Sequence, residues 1–197
     1  MRKSAAEARG TRTAILDRSI AVASVEGLEG LTIGRLAIDL GMSKSGVLGH
    51  FGSKEALQLA VLDRAEEVFL AEVWKPAVPA APGVVRLRVL CEAWISYLER
   101  GVFPGGCFFM AAAHEFDGRE GVVRDAIASR FDAWRGRLLK EAGRAAGAGR
   151  LPDGTEPDQL VFELLGLLMA LNHAIQLHRD PGAPERARRA VSARLGD

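Results

Sequence analysis

Four histidines and two cysteines are the chain's whole stock of imidazole and thiol, so metal binding and nucleophilic catalysis are the first chemistries to weigh. The spacing argues against both. Cys91 and Cys107 form no CxxC pair and have no companion cluster, which leaves neither a zinc site nor a disulfide framework to expect. Cys107 follows a Gly-Gly pair and has two readings, a redox sensor or, more plainly, a small buried apolar residue. Among His50, His114, His173 and His178 there is no HExxH. His173 and His178 stand five residues apart, a poor spacing for sharing a metal from one helix face. No GxSxG elbow, Walker loop or dinucleotide fingerprint occurs. The reading is of a chain that is not an enzyme and carries no metal or cofactor.

What the spacing does support is anion recognition, in the stretch GMSKSGVLGHFGSKEAL from Gly41 to Leu57. Val47, Leu48 and Phe51 read as the apolar face of one short helix, yet Gly46 and Gly49 lie inside it. Each glycine costs a helix interior about 1 kcal/mol relative to Ala, so a reason is needed from outside the helix. The helix would start with Ser43, Lys44, Ser45 and Gly46. Its unpaired backbone N–H groups favour phosphate, and glycine lets backbone approach closely. Lys54 repeats the arrangement at the start of the following helix. Residues 1–54 hold eight Lys/Arg against five acids, a balance of +3, while the remainder of the chain balances at −2. A basic first quarter on a slightly acidic body suits one end that faces nucleic acid.

The elements that position these residues are all helical, since no segment alternates at period two for long. Leu16, Ile20 and Ala23 mark a helix over 11–26, and Gly27 and Gly30 bracket a turn. Thr32 is a suitable N-cap for a helix carrying Ile33, Leu36, Ala37 and Leu40, which Gly41 ends. Ser43 caps the next helix and Ser53 a fourth, whose apolar face reads as Leu57, Val61 and Val68 and which runs to about Trp74. KPAVPAAPG then reads as the clearest linker in the chain. Beyond it come a helix with Leu87, Leu90, Trp94 and Leu98, a short apolar helix after Gly105-Gly106, and a long helix with Val123, Ile127, Phe131, Trp134 and Leu138. A helix over 157–178 has one stripe of Leu160, Leu164, Leu168, Leu171 and Ile175 and a second of Val161, Leu165 and Met169. A helix apolar on two sides has to be covered on both. A last helix spans 184–195.

Helices 33–40 and 44–51, broken at Gly41, make a helix-turn-helix, with Ala37 small where the helices cross and Val47 packing back. In that motif the second helix enters the major groove with its N-terminal residues leading. A plain αα-hairpin in a core has the same caps and periodicity. The glycine-bearing polar helix start, Lys44, Lys54 and the local positive charge favour DNA.

The run LTIGRLAIDLGMSKSGVLGHFGSKEAL, preceded by RTAILDRSIAVASVEGLEG, closely resembles the DNA-binding half of the TetR-type family of transcriptional repressors over about residues 11–60, including Gly27, Thr32, Leu36, Ala37, Gly41, Ser43, His50, Phe51, Ser53, Lys54, Glu55 and Leu57. The resemblance implies an all-α protein: an N-terminal three-helix DNA-binding domain (1–54) and a larger helical domain for effector binding and dimerisation (55–197). It implies a DNA-facing set of Thr32, Arg35, Ser43, Lys44, Ser45, Gly46, His50 and Lys54. Two positions depart from the family. Leu48 stands where an aromatic residue, often Tyr, meets the DNA backbone, and Gly49 stands where a larger residue is common. The recognition helix is therefore expected to be marginal alone, held by packing of Val47, Leu48 and Phe51.

One short helix reads few base pairs, so a two-fold dimer reading a palindromic operator is expected, with recognition helices about 34–36 Å apart. The helices near 157–178 and 184–195 are the expected interface. Arg2, Lys3, Arg9 and Arg12 either add phosphate or minor-groove contacts or form a solvated tail. A small-molecule effector, neutral or aromatic because few charges fall on these faces, would release the operator by population shift. Its candidate contacts are Trp94, Tyr97, Phe108, Met110, Phe131, Trp134, Met169 and His173, with an ordinary core the plainer reading of each. No secretory signal is visible, and the run LVFELLGLLMALNHAIQL reads as too short and too polar to span a membrane, so a cytoplasmic protein is expected. The alternative of a different class is a helical small-ligand carrier that does not bind DNA.

Overall fold

The computed structural model describes residues 5–196. Arg2 and Lys3 lie outside the described residues. Among those described, all regular structure is helical: α1 (Ala5–Glu26), α2 (Ile33–Asp39), α3 (Lys44–Phe51), α4 (Lys54–Phe69), α5 (Val84–Glu99), α6 (Phe108–Phe116), α7 (Val122–Gly147), α8 (Pro157–Gln176) and α9 (Ala183–Leu195). After α4 the backbone widens into a π-helical turn, Leu70–Trp74, and tightens into a 3-10 turn, Lys75–Ala77. The chain forms two compact units, residues 1–67 with 103–128 and residues 68–102 with 129–197.

In the first unit the caps follow local chemistry. Thr32 Oγ1 accepts from the Arg35 N–H at 3.2 Å, Ser43 Oγ from the Gly46 N–H at 3.0 Å, and Ser53 Oγ from the Ala56 N–H at 3.0 Å. Gly41, at φ 60, closes α2, with its own N–H on the Ile38 carbonyl and that of Met42 on the Ala37 carbonyl. This is the left-handed close of a helix that glycine adopts without strain. Leu36, Ala37 and Val47 are buried where α2 meets α3. On α4, whose last two residues, Val68 and Phe69, belong to the second unit, the core face is Leu57, Val61, Ala65 and Phe69, while Val68 is only half-buried. Steps of four place Phe69, not Val68, on that line.

α6 packs on α1 in this unit, and the fit depends on Gly105. A Cβ there would sit 1.7 Å from the Ser24 carbonyl oxygen. The Gly105 N–H donates to Ser24 Oγ at 3.2 Å. Further along, Glu115 of α6 accepts from the backbone N–H groups of Leu28 and Glu29 at 2.6 and 2.9 Å, so a carboxylate holds the turn between α1 and α2.

In the second unit, residues 75–83 are not the linker that their prolines suggest. Ala77 is fully buried. Arg86 donates to the carbonyls of Val78 and Ala80, and the Gly83 N–H donates to the buried carboxylate of Glu141 at 2.8 Å. Glu141 is only 1% exposed, and it is paired with Arg86 at 3.3 Å and Arg144 at 2.7 Å. A buried carboxylate tolerates its site only when paired and hydrogen-bonded in this way. The segment is an ordered strap tied to α7.

α8 gives Leu160, Val161, Leu164, Leu168 and Leu171 to the core and packs with α5 and α9. Of the second sequence stripe, Val161 is buried, Leu165 half-buried and Met169 exposed, and Phe162 stands 74% exposed beside them. At 20 residues, α8 is long and apolar enough by composition to cross a membrane, contrary to the sequence expectation. Composition cannot separate a core helix from a spanning one. Here one face is given to α5 and α9.

Candidate functional site

The surface of the first unit brings together the residues that the sequence singled out. Thr32, Arg35, Ser43, Lys44, Ser45 and Lys54 are exposed, and Gly46 and His50 are half-buried. Val47 is fully buried at the α2–α3 contact, which fixes α3 with its N-terminal turn outward. Phe51 is half-buried, with the Arg12 guanidinium 4.9 Å above its ring. Leu48 differs from the expectation that it packs inward. It is 41% exposed. One residue along an α-helix turns the side chain by about 100°, so burying Val47 sends its neighbour outward.

Two of the cations carry intramolecular partners. Lys54 Nζ donates to the Glu29 carbonyl at 2.8 Å and to Glu29 Oε2 at 2.9 Å. Arg35 binds Asp39 at 3.0 Å and Glu26 at 3.2 Å, and Arg18 binds the same Asp39 at 2.6 Å. The hydrogen bond from Lys54, then that from Gln58, holds the Glu29 carboxyl below the usual carboxylate range. Arg18, then Arg35, does the same for Asp39, and Asp39 in turn raises Arg35. Lys44 has no ion pair among the described residues, and its chain lies over Gly34, where a Cβ would come within 3.4 Å of Lys44 Cε. The sequence reading missed Glu26, Glu29 and Asp39 as partners. Only the i, i+4 spacing of Arg35 and Asp39 was there to be read.

The glycines of α3 have different surroundings. A Cβ on Gly49 would meet no heavy atom within 4 Å, whereas one on Gly46 would lie 3.1 Å from the capping Ser43 Oγ. The intramolecular fold therefore does not require glycine at 49.

The residues proposed from sequence for a small ligand divide. Trp94, Tyr97 and Trp134 converge in the second unit around Phe69, whose ring centroid lies 5.1, 5.6 and 4.9 Å from theirs in edge-to-face contacts. Trp74 joins at 6.3 Å from Trp134, beneath the guanidinium of Arg137. The indole N–H groups of Trp94 and Trp134 are buried without a hydrogen-bond partner. Phe131 is half-buried on α7. Phe108 and Met110 are buried in the first unit, Phe108 against Phe103 and Phe109. Met169 and His173 stand exposed on α8 and do not join the aromatic cluster. They occupy its outer face, which periodicity alone cannot distinguish from an inner one. Phe69 and Trp74 were missed because they precede the strap that reads as a linker.

Cys91 and Cys107 are both buried. Burial pushes the Cys91 thiol up to about 12, which leaves no reactive thiolate at neutral pH.

Two family models match the chain: "Bacterial regulatory proteins, tetR family" over residues 15–61, and "Tetracyclin repressor-like, C-terminal domain" over residues 83–191. No curated protein matches by sequence. Among solved structures, the chain is similar to a TetR transcriptional regulator from Chloroflexus aurantiacus J-10-FL, with 22% identity, a TM-score of 0.86, and coverage of 95% of this chain and 94% of that one. It is similar to AibR in complex with isovaleryl coenzyme A and operator DNA, with 22% identity, a TM-score of 0.78, and coverage of 93% and 97%. A TetR-family regulator from Agrobacterium tumefaciens matches at 14% identity with a TM-score of 0.85, over 96% and 100% of the two chains. At these identities the likeness is one of fold.

Proposed function

The chain belongs to the TetR family of DNA-binding, ligand-responsive transcriptional regulators, and from that premise we propose that it is a cytoplasmic homodimeric repressor, released from a palindromic operator by a neutral or aromatic small molecule. The observation that carries the reading is the setting of α3. Val47 is wholly buried while Ser43, Lys44 and Ser45 face solvent at the helix start, so the end that a major groove would accept is presented outward. Thr32, Arg35, Gly46, His50 and Lys54 lie on the same unit and complete the proposed DNA-facing set. The division of labour proposed is DNA binding by residues 1–54 and effector binding with dimerisation by residues 55–197.

The proposed pairing surface is the outer face of α8 with α9. It presents Phe162, Gly166, Met169 and Ala170. Small residues, Gly166, Ala190 and Ala193, line the groove between the two helices together with Leu167, which suits close approach of a second pair of helices. The proposed effector contacts centre on Trp94, Tyr97 and Trp134. Their rings offer an apolar, aromatic lining, and the two orphaned indole N–H groups suit hydrogen-bond acceptors on the ligand. AibR, similar in fold, is a precedent for a chain held with both operator DNA and a small ligand. Ligand binding acts through its different affinity for the DNA-competent and incompetent states.

The test is selection of bound sites from random duplexes, followed by release with a panel of neutral and of aromatic compounds. Recovery of a two-fold symmetric consensus whose binding weakens steeply with salt, by about 0.9 in log–log slope per phosphate neutralised, supports the proposal. Recovery of unpatterned sequences, or no duplex binding at moderate salt as a ligand carrier would show, refutes it.

A further inference from the structure

Five residues separate His173 from His178, a spacing that on a continuing helix would turn the two side chains about 140° apart. The helix does not continue. α8 ends at Gln176, the Leu177 N–H caps it on the His173 carbonyl at 2.9 Å, and Arg179 takes a left-handed φ of 49 with its N–H on the Ile175 carbonyl. The Asp180 N–H reaches back to the Ala174 carbonyl at 3.2 Å. This wide turn carries His178 back to the last turn of α8. The imidazole centroids lie 5.4 Å apart, with the ring planes at 65°. Both residues are exposed, and neither ring is hydrogen-bonded among the described residues.

We propose that His173 and His178 form a two-imidazole clip for a divalent ion of the zinc type at the C-terminal end of α8. A zinc–nitrogen bond of about 2.1 Å puts a ring centroid about 3.2 Å from the metal. Two rings at the observed 5.4 Å then subtend about 115° at the ion, near the tetrahedral angle that zinc adopts and well beyond the roughly 90° between neighbouring ligands of square-planar copper. The tilt between the rings matters as well. Stacked rings send their in-plane lone pairs side by side, whereas tilted ones can direct a nitrogen each to one point. Both side chains are exposed, so small rotations about Cβ–Cγ are open to them.

The neighbouring charges set the strength of the clip. Asp180 lies close enough to feel His178, but its carboxylate is engaged by the Gly182 N–H and by Arg186, so it contributes negative potential and not a bond to the metal. Arg179 and Arg186 oppose a cation. Among the described residues no group of three or more His, Cys, Asp or Glu side chains is gathered for a metal. The remaining coordination positions fall to water or to a second copy of the chain, since His173 continues the exposed line of Phe162, Gly166 and Met169 along α8.

The test is calorimetric titration of zinc chloride into the untagged full-length protein in a non-chelating buffer, with analytical ultracentrifugation in parallel. Expected is saturable binding of one ion per chain, or of one ion per two chains with zinc-dependent self-association. His173→Ala and His178→Ala should each weaken it at least tenfold. His114→Ala, which removes an exposed imidazole on α6, should leave it unchanged. All three side chains are exposed, so the variants should keep the wild-type circular dichroism. Zinc should raise the melting temperature of the wild type and of His114→Ala only. Absence of saturable binding, or binding that is indifferent to both His173→Ala and His178→Ala, overturns the proposal. No DNA or effector enters the experiment, so its outcome is independent of the repressor reading.

Discussion

Lys54, proposed to meet DNA, already gives two of its three ammonium donors to the carboxylate and the backbone carbonyl of Glu29. The pair is an exposed one whose intrinsic worth is small, and a phosphate can replace the carboxylate. Glu29→Gln removes the competitor. Affinity for a mixed-sequence duplex should rise severalfold, and the log–log salt slope should steepen by about 0.9, the increment for one more phosphate neutralised. Lys44→Ala should do the reverse, weakening all duplexes alike and making the slope shallower by a similar amount. Fluorescence anisotropy across a salt series measures both. The same pairing has a pH signature. The Glu29 carboxyl is held below its ordinary 4.5, so its contribution to stability is complete above that pH and fades as the pH falls through the lower folded value. Glu29→Gln should flatten that acid limb in urea melts. Leu48 and Gly49 carry a further expectation. Leu48 can offer the groove only apolar contact, as to a thymine methyl. Gly49→Ala meets no protein atom and should stabilise the fold by up to about 1 kcal/mol. Unchanged operator affinity would mean that position 49 stands clear of DNA, and a marked fall would mean that the backbone there comes close to it.

α6 carries a claim about how elements are coupled. Its Glu115 accepts two backbone N–H groups from the α1–α2 turn, and its approach to α1 depends on Gly105, where a Cβ would overlap the Ser24 carbonyl. Glu115→Ala should cost about 1–3 kcal/mol by leaving partly buried N–H groups unpaired, read as a lower urea midpoint. None of this was legible in the sequence, because Glu115 lies 87 residues from Leu28. What was legible was local. Thr32, Ser43, Ser53 and Gly41 act within four residues of their partners, so α2 and α3 fall almost where their caps place them. Errors came where periodicity had to stand in for packing. KPAVPAAPG has the composition of a linker, but Glu141 holds its Gly83 N–H from 58 residues away, and Arg86, itself paired with Glu141, holds its Val78 and Ala80 carbonyls. Leu48 shows apolar character at helical spacing, and only the third dimension reveals that its side chain looks outward. The nearness of the His173 and His178 rings was hidden for a related reason: spacing alone assumes a helix that runs on, and α8 stops between them.

For the molecule as a whole, the proposed mode of action requires two copies. One α3 of eight residues reaches a few base pairs, whereas two held about 34–36 Å apart engage successive major grooves. The second binding event is then intramolecular, which multiplies affinity without any new contact. The outer face of α8 is where that proposal is most exposed to disproof. Phe162 is 74% exposed and Met169 42%, and apolar side chains aligned on one helix face mark a surface built to be covered. Phe162→Asp places a charge there. The site is open in the single chain, so the melting temperature of the isolated subunit should move little. In a paired interface the same carboxylate would be buried opposite its symmetry mate. Sedimentation should shift from dimer to monomer at micromolar protein. Affinity for a two-fold operator should fall by about 10²-fold or more, while binding to a single half-site and to mixed-sequence DNA should survive with about half the dimer's salt slope. Operator affinity and dimer mass that both survive Phe162→Asp would move the interface off this face. Monomeric protein that still binds the full operator at wild-type strength would remove the need for pairing altogether.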